Sequence, residues 1–365
     1  MVSRGEHSGI IYHFFKSGRK VTILILALTF PLLLSSCGGL MKVDPVVETG
    51  KAIGSADPFM GDWKGRWQLD DGTDTGPLVA QVIALGKGKY RAVFLDEFDT
   101  RAEPRAVLND EVEDQNASFT GQADSEGGYL DLKGQVEGDN FAGSFQGGDF
   151  SGKFELSRTV RVSPTLGAEP PAGAVVLFNG KNFKQWKHTP SKKNPTGGPV
   201  QWIRKKGGVM EVKPGTGSIM TKKKFTDFKL HIEFRLPFMP EKRGQARANS
   251  GVYLQGRYEV QVLDSYGLEG RDNECGGIYK VGPPLVNMCA PPAQWQTYDI
   301  TFGAPKAGKP ARATVVHNGV TIHDEIELPG PTGGALDSNV NEPGGIYLQD
   351  HSNPMQFRNI WLVEL

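Results

Sequence analysis

The chain has 365 residues, more than one domain of usual size, so two folded units with connecting segments are expected. Lysine and arginine together number 41, as do aspartate and glutamate, so no strong field of one sign favours nucleic acid as a partner. The 47 glycines and 24 prolines are spread among β-branched and aromatic residues, which is typical of many short strands joined by turns. The composition therefore predicts an all-β protein that binds no nucleic acid.

Residues 1–36 are predicted to be a targeting segment, separate from the fold. Lys16, Arg19 and Lys20 precede an apolar run at 21–34, which is short for a membrane-spanning helix. The Leu-Ser-Ser-Cys sequence that ends at Cys37 resembles a bacterial lipobox, in which the cysteine is lipidated and becomes the new N terminus. An uncleaved signal anchor is the alternative.

Residues 37–57 show little periodicity and are predicted to be a tether. Acyl chains on Cys37 would anchor the protein at a membrane of the bacterial cell envelope, facing the periplasm or the cell exterior. Export would also place Cys275 and Cys289 in an oxidising compartment, which favours a disulfide between them. Two free buried cysteines, or part of a metal site, are the alternatives.

Residues 58–160 are predicted to form a small antiparallel β domain of unknown function. The segment "FAGSFQGGDFSGKFEL" predicts a hairpin with one aromatic face, formed by Phe141, Phe145, Phe150 and Phe154. Such a face packs in a core more often than it stacks on sugars. No chemistry is visible in this part of the chain.

Residues 161–173, with three prolines, are predicted to be an interdomain linker. Short alternating runs fill residues 174–365, and they predict a two-sheet sandwich. One of these runs contains Asn318-Gly319, a dipeptide that is typical of tight hairpin turns.

The segment "NSGVYLQGRYEVQVLDS" predicts a hairpin with two different faces. Val252, Leu254, Val260 and Val262 fall on an apolar face, and Tyr253, Gln255, Glu259 and Gln261 fall on a polar one. A three-residue turn at 256–258 that pairs Gln255 with Glu259 would keep each face continuous. In "KLHIEFRL", the polar positions His231, Glu233 and Arg235 alternate with apolar ones in the same way. Each polar face is either a solvated surface or a binding surface.

Five segments in this order carry a family resemblance: "VVLFNGKNFKQW", "GSIMTKKKFTDFKLHIEFRLP", "NSGVYLQGRYEVQVLDS", "PPLVNMCAPPAQWQTYDI" and "GGIYLQDHSNPMQFRNIWLVEL". Together they resemble the 3-keto-disaccharide hydrolase domain over nearly all of residues 175–365. The resemblance implies a concanavalin A-like jelly roll with a saccharide in the groove of its concave sheet. It also implies cleavage of glycosides whose sugar carries a ketone at C3.

A 3-keto sugar opens a route that does not need an enzyme nucleophile. The ketone acidifies the proton on C2, and the glycosidic oxygen on C1 is then expelled from the resulting enolate. Hydration of the product completes a net hydrolysis. Such a site needs a base near C2, donors near the C3 oxygen and an acid near the leaving oxygen.

His351 is the first choice for the base or a metal ligand, because an imidazole titrates near neutral pH. Glu259 is a candidate acid, and Glu233, expected on a neighbouring strand, is a second candidate carboxylate. The candidate substrate-binding residues are Asn249, Tyr253, Gln255, Gln261, Arg235, Lys280 and Arg358. Each of them has a structural alternative, such as a turn, an ion pair or an exposed surface position.

A divalent cation held by His351, Glu233 and Glu259 would also stabilise an enediolate, although no spacing in the sequence indicates such a site. The predicted function is cleavage of 3-keto-glycosides, with a saccharide substrate as partner. A non-catalytic carbohydrate-binding lipoprotein and a structural protein of the envelope are the competing hypotheses.

Overall fold

The computed structural model describes residues 46–49, 57–111, 116–125, 128–148, 150–190 and 197–365. These residues form strands and loops, with one short 3-10 helix at Gly244–Ala246, so the predicted all-β class is confirmed. The predicted signal peptide and Cys37 lie outside the described residues. No helix in the described part of the chain has the length and apolar character needed to cross a membrane.

The N-terminal domain is one antiparallel sheet closed into a barrel. The sheet order is β1-β9-β2-β3-β4-β5-β6-β7-β8, and β9 also pairs with β8, which closes the ring from β2 to β9. Strand β1 falls inside the predicted tether, which therefore contributes one short strand to this sheet. The strands are β1 Val46–Thr49, β2 Gly61–Leu69, β3 Asp74–Gly86, β4 Lys89–Leu95, β5 Ala106–Glu111, β6 Ala117–Ser125, β7 Gly128–Glu137, β8 Asn140–Gly147 and β9 Phe150–Val162.

The barrel interior is filled by aromatic side chains. Phe141 lies at its centre, with ring centroids 5.4 Å from Phe119 and 5.5 Å from Phe154. The predicted aromatic hairpin is confirmed as β8 and β9, although Phe150 is 51% exposed. It is the first residue of β9, where the strand leaves the turn.

The C-terminal domain is a sandwich of two sheets, as the resemblance implied. The larger sheet has the order β12-β13-β22-β15-β18-β19-β20, with β10 also paired to β22, and the smaller sheet has the order β11-β14-β21-β16-β17. The strands are β10 Val175–Phe178, β11 Trp186–His188, β12 Ile203–Lys205, β13 Val209–Glu211, β14 Ile219–Thr221, β15 Phe228–Arg235, β16 Ser250–Leu254, β17 Tyr258–Val262, β18 Trp295–Gly303, β19 Ala311–His317, β20 Val320–Leu328, β21 Tyr347–Leu348 and β22 Gln356–Glu364.

The apolar faces of the two sheets form the core of the sandwich. Val252 and Val260 of the smaller sheet are buried, as are Ile232 and Phe234 of the larger sheet. Burying a side chain of this size contributes about 1.5–3 kcal/mol, so the alternating pattern fixes which face of each strand points inward.

The predicted hairpin forms from β16 and β17, but its register differs from the prediction. Tyr253 pairs with Glu259, and the turn consists of residues 255–257. Gln255 takes a φ of 52° and Gly256 a φ of 69°, so the left-handed region begins one residue before the glycine. The difference from the predicted register is two residues, which leaves the faces unchanged.

The predicted linker is held against the outer face of the larger sheet. The backbone nitrogen of Gly167 donates to Glu233 Oε1 at 2.6 Å, and the Thr165 hydroxyl donates to Asp299 Oδ2 at 2.6 Å. The side chain of Asn359 donates to the carbonyl of Ala168 at 2.9 Å. The linker is therefore an ordered part of the C-terminal domain.

Candidate functional site

The polar face of the smaller sheet brings three predicted residues together. Tyr253 on β16 lies between Glu259 on β17 and Tyr347 on β21, because both strands pair with β16 at this position. The rings of Tyr253 and Tyr347 have centroids 4.4 Å apart. One residue further along the same face, Gln261 follows Glu259 at the spacing of two that a strand requires.

Glu259 is a buried carboxyl group with only 3% of its surface exposed. Burial raises its pKa to about 7. A carboxyl with this pKa exists in both protonation states near neutral pH. It can therefore donate or accept a proton under physiological conditions.

Gln261 lies beside Glu259 and can satisfy both of its protonation states. One end of the Gln261 amide is 2.9 Å from Glu259 Oε1. The amide nitrogen can donate to the ionised carboxylate, and the amide oxygen can accept from the protonated acid. Gly251 leaves room for this contact, because a Cβ at that position would lie 2.2 Å from Glu259 Oε1.

The hydroxyl of Tyr253 connects the sheet to a loop above it. It donates to the carbonyl of Gly333 at 2.9 Å and accepts from Gln349 Nε2 at 3.2 Å. The carbonyl oxygen of the Gln349 side chain is buried and, among the described residues, has no hydrogen-bond partner. A ligand hydroxyl at this point would find a preformed acceptor.

The other predicted binding residues of the smaller sheet and its loops have different positions. Asn249 is buried at the start of β16, and its side chain donates to the carbonyl of Gln245 at 2.9 Å. Gln255 lies in the hairpin turn and donates to the carbonyl of Phe225 at 2.9 Å, which is a structural contact. Lys280 is exposed in a turn, with its ammonium 5.4 Å from the ring centre of Tyr279.

His351 lies beyond the end of β21 and is exposed. The residue before it, Asp350, accepts hydrogen bonds from the backbone nitrogens of Gly217 and Ser352, at 2.9 and 2.8 Å. The turn that carries His351 is therefore fixed by the hydrogen bonds of Asp350.

Glu233, Arg235 and Arg358 lie outside this group. They belong to β15 and β22 of the larger sheet, and their side chains point to its outer face. The expectation that Glu233 and Arg235 lie on a strand next to the hairpin is wrong, because β15 pairs with β18 and β22 instead. The sandwich core separates these side chains from Glu259.

Glu233 forms a buried ionic network under the linker. Arg358 Nε donates to Glu233 Oε2 at 2.5 Å, and Asn359 Nδ2 donates to Oε1 at 2.9 Å. Burial opposes the ionised form, but hydrogen bonds from His231, Asn359 and Arg358 lower the pKa of Glu233 to about 2. A carboxylate this acidic is a poor proton acceptor at neutral pH, so its role in the described structure is structural.

His231 belongs to the same network and is nearly inaccessible. Burial disfavours its charged form, but hydrogen bonds with Asp299 and Glu233 raise its pKa to about 9. Its Nδ1 lies 2.6 Å from Asp299 Oδ1, and its ring stacks on Trp361 with centroids 4.9 Å apart.

The predicted metal ligands do not come together in the described structure, and the two cysteines are not joined by a disulfide. Glu233 is separated from Glu259 and His351, and no cluster of three or more His, Cys, Asp or Glu side chains suited to a metal ion is found in the described ranges. Cys275 and Cys289 are both buried with free thiols, and Cys275 Sγ lies 3.3 Å from the Tyr298 hydroxyl. Their pairing as a disulfide stays a prediction.

Sequence reasoning missed Gln349, Tyr347 and Gln245. Tyr347 and Gln349 have the alternating spacing of the polar face, but β21 has only two residues and gives a weak strand signal. Gln245 comes from a loop and the 3-10 helix, and its contact with Gln261 joins parts of the chain 16 residues apart.

The chain is similar to one protein-family model and to several solved structures. The model of the 3-keto-alpha-glucoside-1,2-lyase-like domain matches residues 173–363. A protein from Parabacteroides distasonis, described as a candidate glycosyl hydrolase, is 39% identical over 53% of this chain and 85% of its own, with a TM-score of 0.47. A second candidate glycosyl hydrolase from that organism is 21% identical over 53% of this chain and 94% of its own, with a TM-score of 0.41.

No curated protein matches this chain. The family match nevertheless spans more than half of the 365 residues, and it covers both sheets of the sandwich, including β16, β17 and β21. The chain therefore belongs to the family of 3-keto-alpha-glucoside-1,2-lyase-like domains.

Proposed function

We propose that this protein cleaves 3-keto-glycosides by elimination across C1 and C2 followed by hydration, with Glu259 in the active site. The observation that carries the proposal is a buried carboxyl with a pKa of about 7 on the polar face of a sandwich of this family. The names of the P. distasonis proteins support the broader class of glycosyl hydrolase and a saccharide substrate.

Glu259 is the acid in this proposal. Loss of the C2 proton places negative charge on the enolate, and departure of the glycosidic oxygen from C1 then requires a proton. The protonated form of Glu259 supplies it and becomes a carboxylate, which the Gln261 amide stabilises from 2.9 Å. In the hydration step, the hydroxyl of water bonds to C1, its other proton returns to Glu259, and the base returns its proton to C2, so the sum of the steps is hydrolysis.

Polar groups around Glu259 are suited to sugar hydroxyls. The side-chain oxygen of Gln349 supplies a buried acceptor close to Tyr253 and Tyr347, whose paired rings are themselves buried. Gly333 and Gly334 are exposed in the loop above Tyr253, so this loop is the entry that we assign to the substrate.

His351 is the base in this proposal, because it is exposed and an imidazole is a group that can accept a proton. We further propose that the protein is a lipoprotein of the cell envelope, anchored through Cys37. In that location it would act on saccharides outside the cytoplasm.

The test is to incubate the purified protein with a 3-keto-disaccharide and, separately, with the unoxidised parent disaccharide. Release of free sugar from the ketone alone supports the proposal. Release from both substrates at similar rates would indicate an ordinary glycosidase, and binding without release would indicate a carbohydrate-binding protein.

A further inference from the structure

The N-terminal barrel packs against two loops of the C-terminal domain, residues 240–249 and 264–287, which we call the wall loops. The end of β3 provides the first contact. Arg247 Nη2 donates to the carbonyl of Ala84 at 3.2 Å, and Arg243 Nη2 donates to the carbonyl of Leu85 at 2.6 Å. Ile83 packs on Gly267, where an added Cβ would lie 2.5 Å from Ile83 Cδ1.

A buried polar cluster forms the second contact between the barrel and the wall loops. The Tyr266 hydroxyl donates to Asp62 Oδ1 at 2.7 Å, and Arg161 Nε donates to Asp62 Oδ2 at 2.8 Å. Asp62 is 3% exposed and Tyr266 is 1% exposed. A buried carboxylate is costly without partners, so this cluster favours one defined arrangement of the barrel on the loop.

Arg101 forms the third contact and joins two points of one wall loop. Its Nη1 donates to the carbonyls of Gly270 and Pro284, at 3.0 and 2.9 Å. Its Nη2 also pairs with Glu269 at 3.0 Å. One barrel side chain therefore fixes the two ends of the segment that carries Asn273 and Gly277.

The wall loops are bonded to each other and to the candidate site. Arg247 Nε pairs with Asp264 Oδ2 at 2.5 Å, which joins the two loops. Gln245 Nε2 donates to the carbonyl of Asn273 at 2.7 Å, and the side-chain amides of Gln245 and Gln261 meet at 3.0 Å.

The main chain of the second wall loop also pairs with β17 directly. The backbone nitrogen of Gln261 donates to the carbonyl of Gly277 at 2.9 Å, and the nitrogen of Gly276 donates to the carbonyl of Gln261 at 2.9 Å. Gln261, which lies beside Glu259, is therefore held through both its side chain and its backbone by the wall loops. The barrel in turn contacts these loops.

We propose that the N-terminal barrel is a positioning domain, which holds the wall loops in place and thereby fixes Gln245 and Gln261 beside Glu259. This gives a role to residues 58–160, which lie outside the family match. The effect on substrate affinity rests on the proposed function, whereas the effect on the loops does not.

Hydrogen exchange of the full chain tests the proposal without substrate. The variants are Arg101→Ala and the double variant Ile83→Ala with Arg101→Ala. The matched control is Arg66→Ala, which removes an exposed barrel arginine paired with Asp74 on another part of the barrel. We expect faster amide exchange in both wall loops and at Gln261 in the interface variants, and wild-type exchange in the control.

Two results would overturn the proposal. One is unchanged exchange in the wall loops of both interface variants, and the other is faster exchange in the loops that does not reach Gln261. Arg101 is 37% exposed, so the single variant keeps the test valid if the double variant does not fold.

The second readout is steady-state kinetics on the 3-keto-disaccharide. Loss of these contacts should raise KM about three- to tenfold and change kcat by less than about twofold, because it affects the position of binding groups. An unchanged KM in a variant with faster exchange at Gln261 would refute the link to affinity. If the wild type releases no sugar, the proposed function fails, and the exchange experiment still decides whether the barrel positions the loops.

Discussion

At the scale of single residues, Glu259 and Glu233 are both buried, but their pKa values are shifted in opposite directions. Glu259 has a neutral amide and a phenol as neighbours, so desolvation raises its pKa to about 7. Glu233 has Arg358, His231 and a backbone donor as neighbours, so its pKa falls to about 2 despite similar burial. The sequence shows two strand carboxylates with similar surroundings, and only their partners distinguish an acid–base group from a structural ion.

The first prediction concerns the ionisation of Glu259. Because the protonated form is the acid, wild-type kcat/KM should fall as the pH rises through about 7. Glu259→Gln cannot donate the proton and should lower kcat by about 10²- to 10⁴-fold. The exposed residue Glu327 provides the control variant Glu327→Gln. Wild-type turnover in Glu259→Gln would remove this residue from the mechanism.

A second prediction concerns His351, which is exposed and lies outside any β-strand. His351→Ala should abolish turnover of the 3-keto substrate and leave the melting temperature nearly unchanged, because the side chain contributes little to the core. Turnover and thermal unfolding are measured on the same preparation. Turnover at the wild-type level would show that another group removes the C2 proton.

A third prediction assigns Glu233 to stability. Its depressed pKa means that ionised Glu233 stabilises the fold above its ordinary pKa of 4.5, and that this contribution is lost as the pH falls towards 2. Glu233→Gln should therefore lower the free energy of unfolding by on the order of 2–3 kcal/mol at pH 7 and by much less near pH 2.

Denaturant unfolding at several pH values measures the effect of Glu233→Gln. Turnover per folded molecule should stay within about twofold of the wild type, since Glu233 lies on the outer face of the other sheet. A loss of turnover without a loss of stability would instead support the catalytic role expected from the sequence.

At the scale of strands and loops, the alternating pattern predicted the faces of the hairpin and of β15 correctly. It did not give the register, because the turn starts with Gln255 in a left-handed conformation that usually favours glycine. It also could not assign β15 to a sheet, because both sheets have an apolar inner face and a polar outer face. That assignment depends on pairing between strands distant in sequence, which local periodicity does not encode.

The fourth prediction concerns the space between β16 and Glu259. In Gly251→Ala, the new Cβ would lie 2.2 Å from Glu259 Oε1 and 2.9 Å from Tyr253 Cε2, so both side chains must move. Turnover should fall at least about tenfold, with a loss of about 1–3 kcal/mol in stability from overpacking. Gly303→Ala on β18 is the matched control, because its Cβ would meet nothing within 4 Å. Equal turnover in the two variants would contradict the site geometry.

At the scale of the whole molecule, the two domains form one continuous hydrogen-bonded structure through the wall loops and the ordered linker. Ser163 at the end of β9 contacts Thr297 of the larger sheet through their hydroxyls at 2.6 Å, and Asp62 of the barrel binds Tyr266 of the wall loop. Sequence composition correctly indicated two β domains but treated the linker as a spacer. The contacts that make it part of the fold involve residues more than 60 positions apart, and composition carries no signal of them.

The fifth prediction concerns attachment of the whole molecule to a membrane. If Cys37 is lipidated, Cys37→Ser should move the protein from the membrane fraction to the soluble fraction, because each acyl methylene buried in the bilayer contributes about 0.8 kcal/mol. Ser36→Ala keeps a small residue before the cysteine and should remain in the membrane fraction. Cell fractionation and the mass of the N-terminal peptide measure the two properties separately. Membrane attachment of the wild type, with the apolar run at 21–34 still present in its mass spectrum, would identify that run as an uncleaved anchor.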